Sequence, residues 1–316
     1  MIQINKNGSK YMDNLYVIIV TYNGAKWIHK CLNSIYESTI TSTIVVVDNN
    51  SSDNTVQIIK ADYPSVILFE YHKNLGFGKA NNIGIGYALR HQADYVYLLN
   101  QDAWVEPDTF DTLIKIQKSN TQYGVLSPMQ LNAPKDKLDD YFAALSIGKN
   151  KDNILSDIYL QKCKEVYEVD FVMAAHWLIS KACLMNTGGF SPVFYHYGED
   201  NNFLHRIHFH GYKSGVCPYL IAVHDREDRK RKPNEIFYLK YTSAFLVDFN
   251  NINNTLAKAF VKAYANLIID EVTCMIKYKS LKPLIYICKS IFAFAKSWHN
   301  RKTTQNKGSV FLEITE

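Results

Sequence analysis

The 316-residue chain is 47% hydrophobic and 21% charged, a globular balance that excludes a disordered chain, a collagen-like repeat and a small disulfide scaffold. Its formal net charge is +5, and the whole excess lies in residues 241–316, which carry 10 basic and 5 acidic residues. Six cysteines with no C-x-x-C pair argue against a zinc cluster or secreted disulfide framework and for reduced thiols.

The N-terminus is polar, and no apolar run approaches the roughly 18 residues that a membrane span needs. A cytoplasmic chain without a spanning segment is the expectation. Residues 15–20 (LYVIIV), 44–48 (IVVVD), 66–71 (VILFEY) and 95–100 (YVYLLN) are short, apolar and rich in β-branched or aromatic residues. They read as buried parallel strands. Residues 26–36, 53–61 and 79–91 between them are long enough for crossover helices, the second capped by Ser52-Asp53. This alternation predicts an α/β sheet with helices on both faces. Residues 132–168 are polar and charged and read as loop or a solvated hairpin. Residues 171–179 suggest another strand, and Gly188-Gly189 a turn. A short helix is expected over 200–210. From 255 to 299 the pattern turns helical, broken near Pro283, and a boundary is placed near residue 240.

Ligands of open α/β sheets bind at the carboxyl ends of the strands. The four strand ends here lead into Thr21-Tyr22-Asn23-Gly24, Asp48-Asn49-Asn50-Ser51, Asn74-Leu75-Gly76-Phe77-Gly78 and Asn100-Gln101-Asp102. Turn chemistry alone accounts for any one of these loops. Four in register, two carrying carboxylates, point to a binding edge. Asp48 and Asp102 follow apolar strands, where a carboxylate is costly without a partner. Such a group accepts hydrogen bonds from a base or ribose, or holds a divalent cation together with substrate phosphates. Gly76 and Gly78 let a ligand approach the backbone closely.

The runs VIIVTYNG, VVVDNNSSDNT, NLGFGKANNIG, LLNQD and GGFSPVFYHYGEDNNFLHR resemble, over residues 15–226, the inverting nucleotide-sugar glycosyltransferases called family 2, and within them the bacterial rhamnosyltransferase-type members. The resemblance implies a GT-A fold, a Rossmann-like, mostly parallel sheet flanked by helices, here with a helical C-terminal extension. It divides the chain into a catalytic domain over 1–240, with its nucleotide-binding part at about 1–130 and its acceptor-binding part at about 131–240, and a helical region over 241–316. It implies a nucleotide-diphospho-sugar donor, dTDP-rhamnose or a UDP-hexose, and a glycan or lipid-linked acceptor in cell-surface polysaccharide synthesis. Thr21, Tyr22, Asn23 and Asn50 would line the nucleotide pocket, with Asp48 at the base. Gly76, Asn81 and Asn82 would close over the donor. Asn100-Gln101-Asp102 matches the metal-binding D-x-D position, with Asn100 in place of its first Asp, and Asp102 and His224 would hold Mg²⁺ or Mn²⁺. Asp200, in the Glu199-Asp200 pair, would be the catalytic base, with Glu199, His176 and Trp177 on the acceptor side.

The chemistry of that assignment is simple. An acceptor hydroxyl is a poor nucleophile until a carboxylate takes its proton, and the anomeric carbon passes through an oxocarbenium-like state. A diphosphate leaves without a strong general acid when cations stabilise its growing charge. Arg206 suits an anion contact or helix packing. The run Arg229–Lys232 follows Asp225–Asp228, so charge cancels locally and nucleic-acid binding is not expected. Gly76-Phe77-Gly78 lacks the third glycine and the first-strand position of a dinucleotide fingerprint. A nucleotidyltransferase and a non-catalytic sugar-nucleotide binder remain as alternatives. In residues 281–299, Lys282, Lys289 and Lys296 recur every seven residues beside an apolar surface. That pattern suits an anionic membrane surface, or packing on the catalytic domain or a second subunit.

Overall fold

The computed structural model describes residues 13–148, 153–226 and 232–314. The four expected strands form as β1 (Leu15–Thr21), β2 (Thr43–Asp48), β3 (Ile67–Glu70) and β4 (Tyr95–Asn100), pairing in parallel in the order β3-β2-β1-β4. Their side chains split by a period of two. Leu15, Val17, Ile19, Ile44 and Val46 enter one buried core, and Ile18, Val45 and Val47 enter the core on the other face. A sheet covered on both faces explains why these strands read as continuous apolar runs. The crossover helices are α1 (Ile28–Tyr36), α2 (Thr55–Asp62) and α3 (Phe77–Arg90). The cap of α2 differs from expectation: Asn54 holds the cap position, and Asp53 accepts from the Thr55 and Ala25 backbone amides instead, binding two strand-end loops together.

Beyond β4 come β5 (Ala103–Val105), α4 (Thr109–Ser119), β6 (Tyr123–Leu131), the single turn α5 (Asp140–Phe142), α6 (Ile154–Tyr159), β7 (Tyr167–Glu168), β8 (His176–Ser180), α7 (Lys181–Thr187), α8 (Glu199–Phe209) and β9 (Lys213–His224). The sheet continues β4-β8-β6-β9-β5, with β7 also on β9. Strand β8 runs antiparallel to both β4 and β6, β6 and β9 are parallel, and β5 is antiparallel to β9. The described part of residues 132–168 therefore holds α5, a π-helical turn (Ala143–Ile147), α6 and β7, where loop or hairpin was expected. The strand expected over 171–179 begins only at His176, because residues 171–175 form no ladder.

The C-terminal region consists of α9 (Pro233–Tyr241), a π-helical turn (Thr242–Val247), α10 (Leu256–Tyr278) and α11 (Ile285–Gln305), broken at the 3₁₀ turn Lys282–Leu284 that contains Pro283. Phe237, Tyr241, Phe245, Phe249, Leu267 and Tyr286 pack a third core that also takes in Phe194. Helix α11 also docks by polar groups. Ser191 donates to Asn300 at 2.6 Å, Lys296 to the Pro192 carbonyl at 2.8 Å, and Arg301 to the carbonyls of Phe249, Asn251 and Asn254. The chain then returns to the nucleotide-binding side, where Gly189 N donates to Val310 O and Arg90 to Glu313 O. Among the described residues no helix is long and apolar enough to cross a membrane. Of the basic run, Arg229, Lys230 and Arg231 lie outside the described residues.

Candidate active site

The strand register gathers the expected edge. Thr21 lies opposite Asp48, and Val20 opposite Asn100. Asp48 is buried, and its carboxylate accepts from Thr21 Oγ1 at 2.8 Å, Ser51 Oγ at 2.5 Å and Ser51 N at 2.9 Å. Its role in this arrangement is to shape the loop that carries Asn49 and Asn50. Asn23 and Asn50 both take left-handed backbone (φ 52° and 72°), which Asn tolerates well. Asn23 then accepts from Ser52 N at 2.8 Å, while Gln101 clasps the Tyr22 backbone, accepting from its N–H at 2.9 Å and donating to its carbonyl at 3.1 Å. Tyr22 and Asn50 remain exposed above this frame. Asn49 bridges to the next loop, accepting from Leu75 N at 2.8 Å and donating to Gly76 O at 3.2 Å.

Pairing of β5 with β9 sets Ala103 opposite His224, which brings Asp102 beside the end of β9. His224 Nε2 stands 3.4 Å from Asp102 Oδ1 and 3.4 Å from Asn100 Nδ2. Its Nδ1 is buried without a partner among the described residues. Burial pushes the Asp102 carboxyl up, but the hydrogen bond and charge of His224, with the charge of Arg226, outweigh that and hold it below its ordinary value. A carboxylate oxygen and an imidazole nitrogen at this separation suit two adjacent positions on a divalent cation, whose octahedral ligands lie about 3 Å apart. Among the described residues no group of three or more His, Cys, Asp or Glu completes a cage, which leaves room for substrate oxygens and water.

Helix α8 opens with Gly198 in left-handed conformation (φ 85°), followed by Glu199 and Asp200 in its first turn, where the helix dipole favours carboxylates. Asp200 is half-buried, and its Oδ1 accepts from Asn201 N at 2.8 Å. Glu199 points inward, and its Oε2 has no partner among the described residues. Burial raises both carboxyls, and the charge of Asp200 raises Glu199 further, so Glu199 is the member that keeps its proton. Arg226 favours the ionised forms of both Asp200 and Asp102 by its charge, so one guanidinium acts on both acidic centres. Arg226 itself donates to Asp139 at 2.9 Å and lies over the Tyr141 ring.

Residues 16–143 match the model described as glycosyl transferase family 2. Glycosyltransferase GlyA of Streptococcus pneumoniae is 33% identical over 106 residues, 33% of this chain and 15% of that protein, so only a small part of the relative is represented. The dTDP-rhamnosyl transferase RfbF of Shigella flexneri is 24% identical over 220 residues, 69% of this chain and 71% of that one. Residues 16–143 are a glycosyl transferase family 2 domain. The fold is GT-A: the mannosyltransferase PcManGT of Pyrobaculum calidifontis, solved with GDP-Man and Mn²⁺, superposes with a TM-score of 0.55 at 20% identity, covering 93% of this chain and 84% of that one.

Several residues expected at the site are buried or held by other protein groups. His176 and Trp177 are wholly buried. His176 Nε2 donates to Val223 O at 2.9 Å and Nδ1 accepts from Tyr97 at 3.0 Å, and burial depresses the imidazole to about 3, so it stays neutral. Trp177 stacks on Phe190 and tilts against Phe203. The direct acceptor contact expected of these two is corrected to packing. Asn81 donates to Phe77 O, and Asn82 bonds both the N–H and carbonyl of Phe190, docking α3 on the Gly188–Phe190 turn. Arg206, buried, donates to Asn202, Thr187 O and Gly189 O, and burial lowers it to about 9; it is a packing residue, not an anion contact. Conversely, Arg226, Asp139 and Asn49 escaped the sequence reading. Arg226 was discoverable only by recognising β9 and reading past its end, as was done for the first four strands.

Proposed function

We propose that the chain is an inverting glycosyltransferase that moves a sugar from a nucleotide diphosphate, with dTDP-rhamnose or a UDP-hexose as donor class, to a glycan or lipid-linked hydroxyl in cell-surface polysaccharide synthesis. The observation that carries this reading is the Asp102–His224 pair, 3.4 Å apart where β5 meets the end of β9, with the charge of Arg226 acting on both Asp102 and Asp200. The similarity to the dTDP-rhamnosyl transferase RfbF and to PcManGT, solved with GDP-Man, supports a nucleotide-sugar donor.

In this reading Tyr22, Asn23, Asn50 and Gly76 frame the nucleoside, and Asn100 and Gln101 set the edge on which Asp102 stands. Asp102 and His224 would hold Mn²⁺ or Mg²⁺, which when bound stabilises charge on the leaving diphosphate. Asp200 accepts the acceptor's proton as its oxygen attacks. Its raised affinity for protons suits that task, since a base works best with a pKa near the working pH. Glu199, protonated and inward, leaves Asp200 as the charged member of the pair. A base on one side and a stabilised diphosphate on the other give in-line displacement with inversion.

The test is to measure donor binding calorimetrically with and without Mn²⁺, and product formation, in three proteins. Asp200→Asn is expected to bind donor like wild type while transfer falls by about 10²–10⁴-fold. Asp102→Ala is expected to lose the Mn²⁺-dependent part of donor affinity. Native turnover in Asp200→Asn, or product that retains the donor's anomeric configuration, would overturn the mechanism. Unchanged Mn²⁺ linkage in Asp102→Ala would remove the metal assignment.

A further inference from the structure

We propose that the outward faces of α10 and α11 form a docking surface for an anionic lipid bilayer. Helix α11 carries apolar residues on two faces. Its inner face buries Tyr286, Ser290, Ser297, Asn300, Arg301 and Thr304, with Ile287 and Phe294 partly buried against the third core. A helix on a globular protein normally leaves a polar face outside, yet here the outward side carries Ile285, Ile291 and Phe292, the last 85% exposed, continuing Leu284 of the preceding turn. The end of α10 and the turn after it continue the pattern, with Ile276 and Leu281 each 74% exposed. Isolated exposed apolar residues need no explanation, but a run of them along the outward side of a helix does.

Charge decides what covers this surface. No acidic residue lies between Glu271 and Glu313, while eight basic residues do. Earlier on α10, Lys262 pairs with Asp248 at 2.8 Å, and Asp270 pairs with Lys240 of α9 at 3.0 Å. Among the described residues Lys277, Lys279, Lys282 and Lys289 have no carboxylate partner, and Lys277 and Lys289 lie over the Tyr278 and Tyr286 rings. A two-fold dimer through this face would set the same lysine-bearing patch against itself, which like charges oppose. A nucleic acid would satisfy the lysines but leave Ile291 and Phe292 in water. A bilayer with anionic headgroups satisfies both, taking the apolar side chains below the headgroups and the lysines among them.

The experiment is co-sedimentation of the full chain, without donor, with phosphatidylcholine vesicles and with vesicles that also contain phosphatidylglycerol, at low and high salt. Binding is expected only with phosphatidylglycerol, and weaker at high salt. The double variant Ile291→Ser/Phe292→Ser is expected to lower the partition coefficient roughly tenfold or more through lost apolar burial. Lys282→Gln/Lys289→Gln is expected to lower it by roughly thirtyfold, from about 1 kcal/mol for each lysine at the surface. Retained donor binding shows that both variants fold. The proposal is overturned if wild type stays in the supernatant with anionic vesicles at low salt, or if both variants bind like wild type. It is also overturned if sedimentation velocity shows a dimer that Ile291→Ser/Phe292→Ser dissolves. Because no sugar nucleotide is present, failure here leaves the catalytic reading untouched.

Discussion

At the scale of single residues, the chemistry turns on two neighbouring carboxyls that cannot both be charged cheaply. Glu199 and Asp200 are adjacent, and burial raises both. What distinguishes them is exposure and Arg226, whose charge favours the ionised form of Asp200. The pair titrates as a unit, and the proposed mechanism requires its outer member deprotonated. Activity is therefore expected to be lost as pH falls through a value above the ordinary Asp range of about 3.9. In Arg226→Gln the favourable charge is gone, the pKa rises further, and the acid limb of kcat/KM should move to higher pH. A pH–rate profile of both proteins checks this, and an acid limb that stays in place in Arg226→Gln would contradict it. Asp102 was reached in the sequence because it follows a strand whose end could be located, and Asp200 through the resemblance of the Glu199-Asp200 pair to the family's motif. Arg226 was not, because β9 (KSGVCPYLIAVH) contains a glycine and a proline and reads as no clean strand, although its position two residues past that strand is equivalent.

At the scale of elements, the parallel half of the sheet was legible because its strands are buried on both faces and its crossovers are long. The second half was harder, since β6 to β9 mix parallel and antiparallel pairing, and β6 carries a register shift at Pro128/Met129. The short helices after β6 open on Asp139, whose side chain both accepts from Phe142 N and pairs with Arg226, a long-range partner that local pattern cannot reveal. The loop before α3 shows how a motif glycine is explained by its surroundings. Gly76 has φ +83°, and a Cβ there would lie 2.1 Å from the Tyr195 carbonyl oxygen. Gly211 has a similar φ of +88° with nothing within 4 Å of such a Cβ. Gly211→Ala should thus incur backbone strain alone, about 1 kcal/mol, whereas Gly76→Ala adds displacement of the Tyr195 segment and should exceed it by about 1–2 kcal/mol. Denaturant unfolding of the two variants measures the difference. Equal losses would mean that close approach is not why glycine stands at position 76.

At the scale of the whole molecule, the sequence shows a change of character near residue 240, and the charge count locates the basic excess beyond it. It does not show that α11 is also tied to the catalytic part by polar bonds, because Ser, Asn and Arg on a helix read as solvated until their partners are known. Those partners lie in the catalytic part: Ser191 and Pro192 for α11, and Asn202, which donates to Asn250 O beside the third core. The last described residues then cross to α3, where Leu312 is buried against Gly189 and joins the core that contains Ile18 and Trp177. A region tied at both ends in this way should not unfold by itself. We expect a single calorimetric transition for the full chain, with calorimetric and van't Hoff enthalpies in agreement. Leu312→Ala, which empties a buried site in the sheet's own core, should destabilise that one transition by about 2–3 kcal/mol. If the helices are instead a separate cooperative unit, two transitions will appear. Leu312→Ala would then shift only the one that donor stabilises, since ligand binding raises the stability of the unit that binds it.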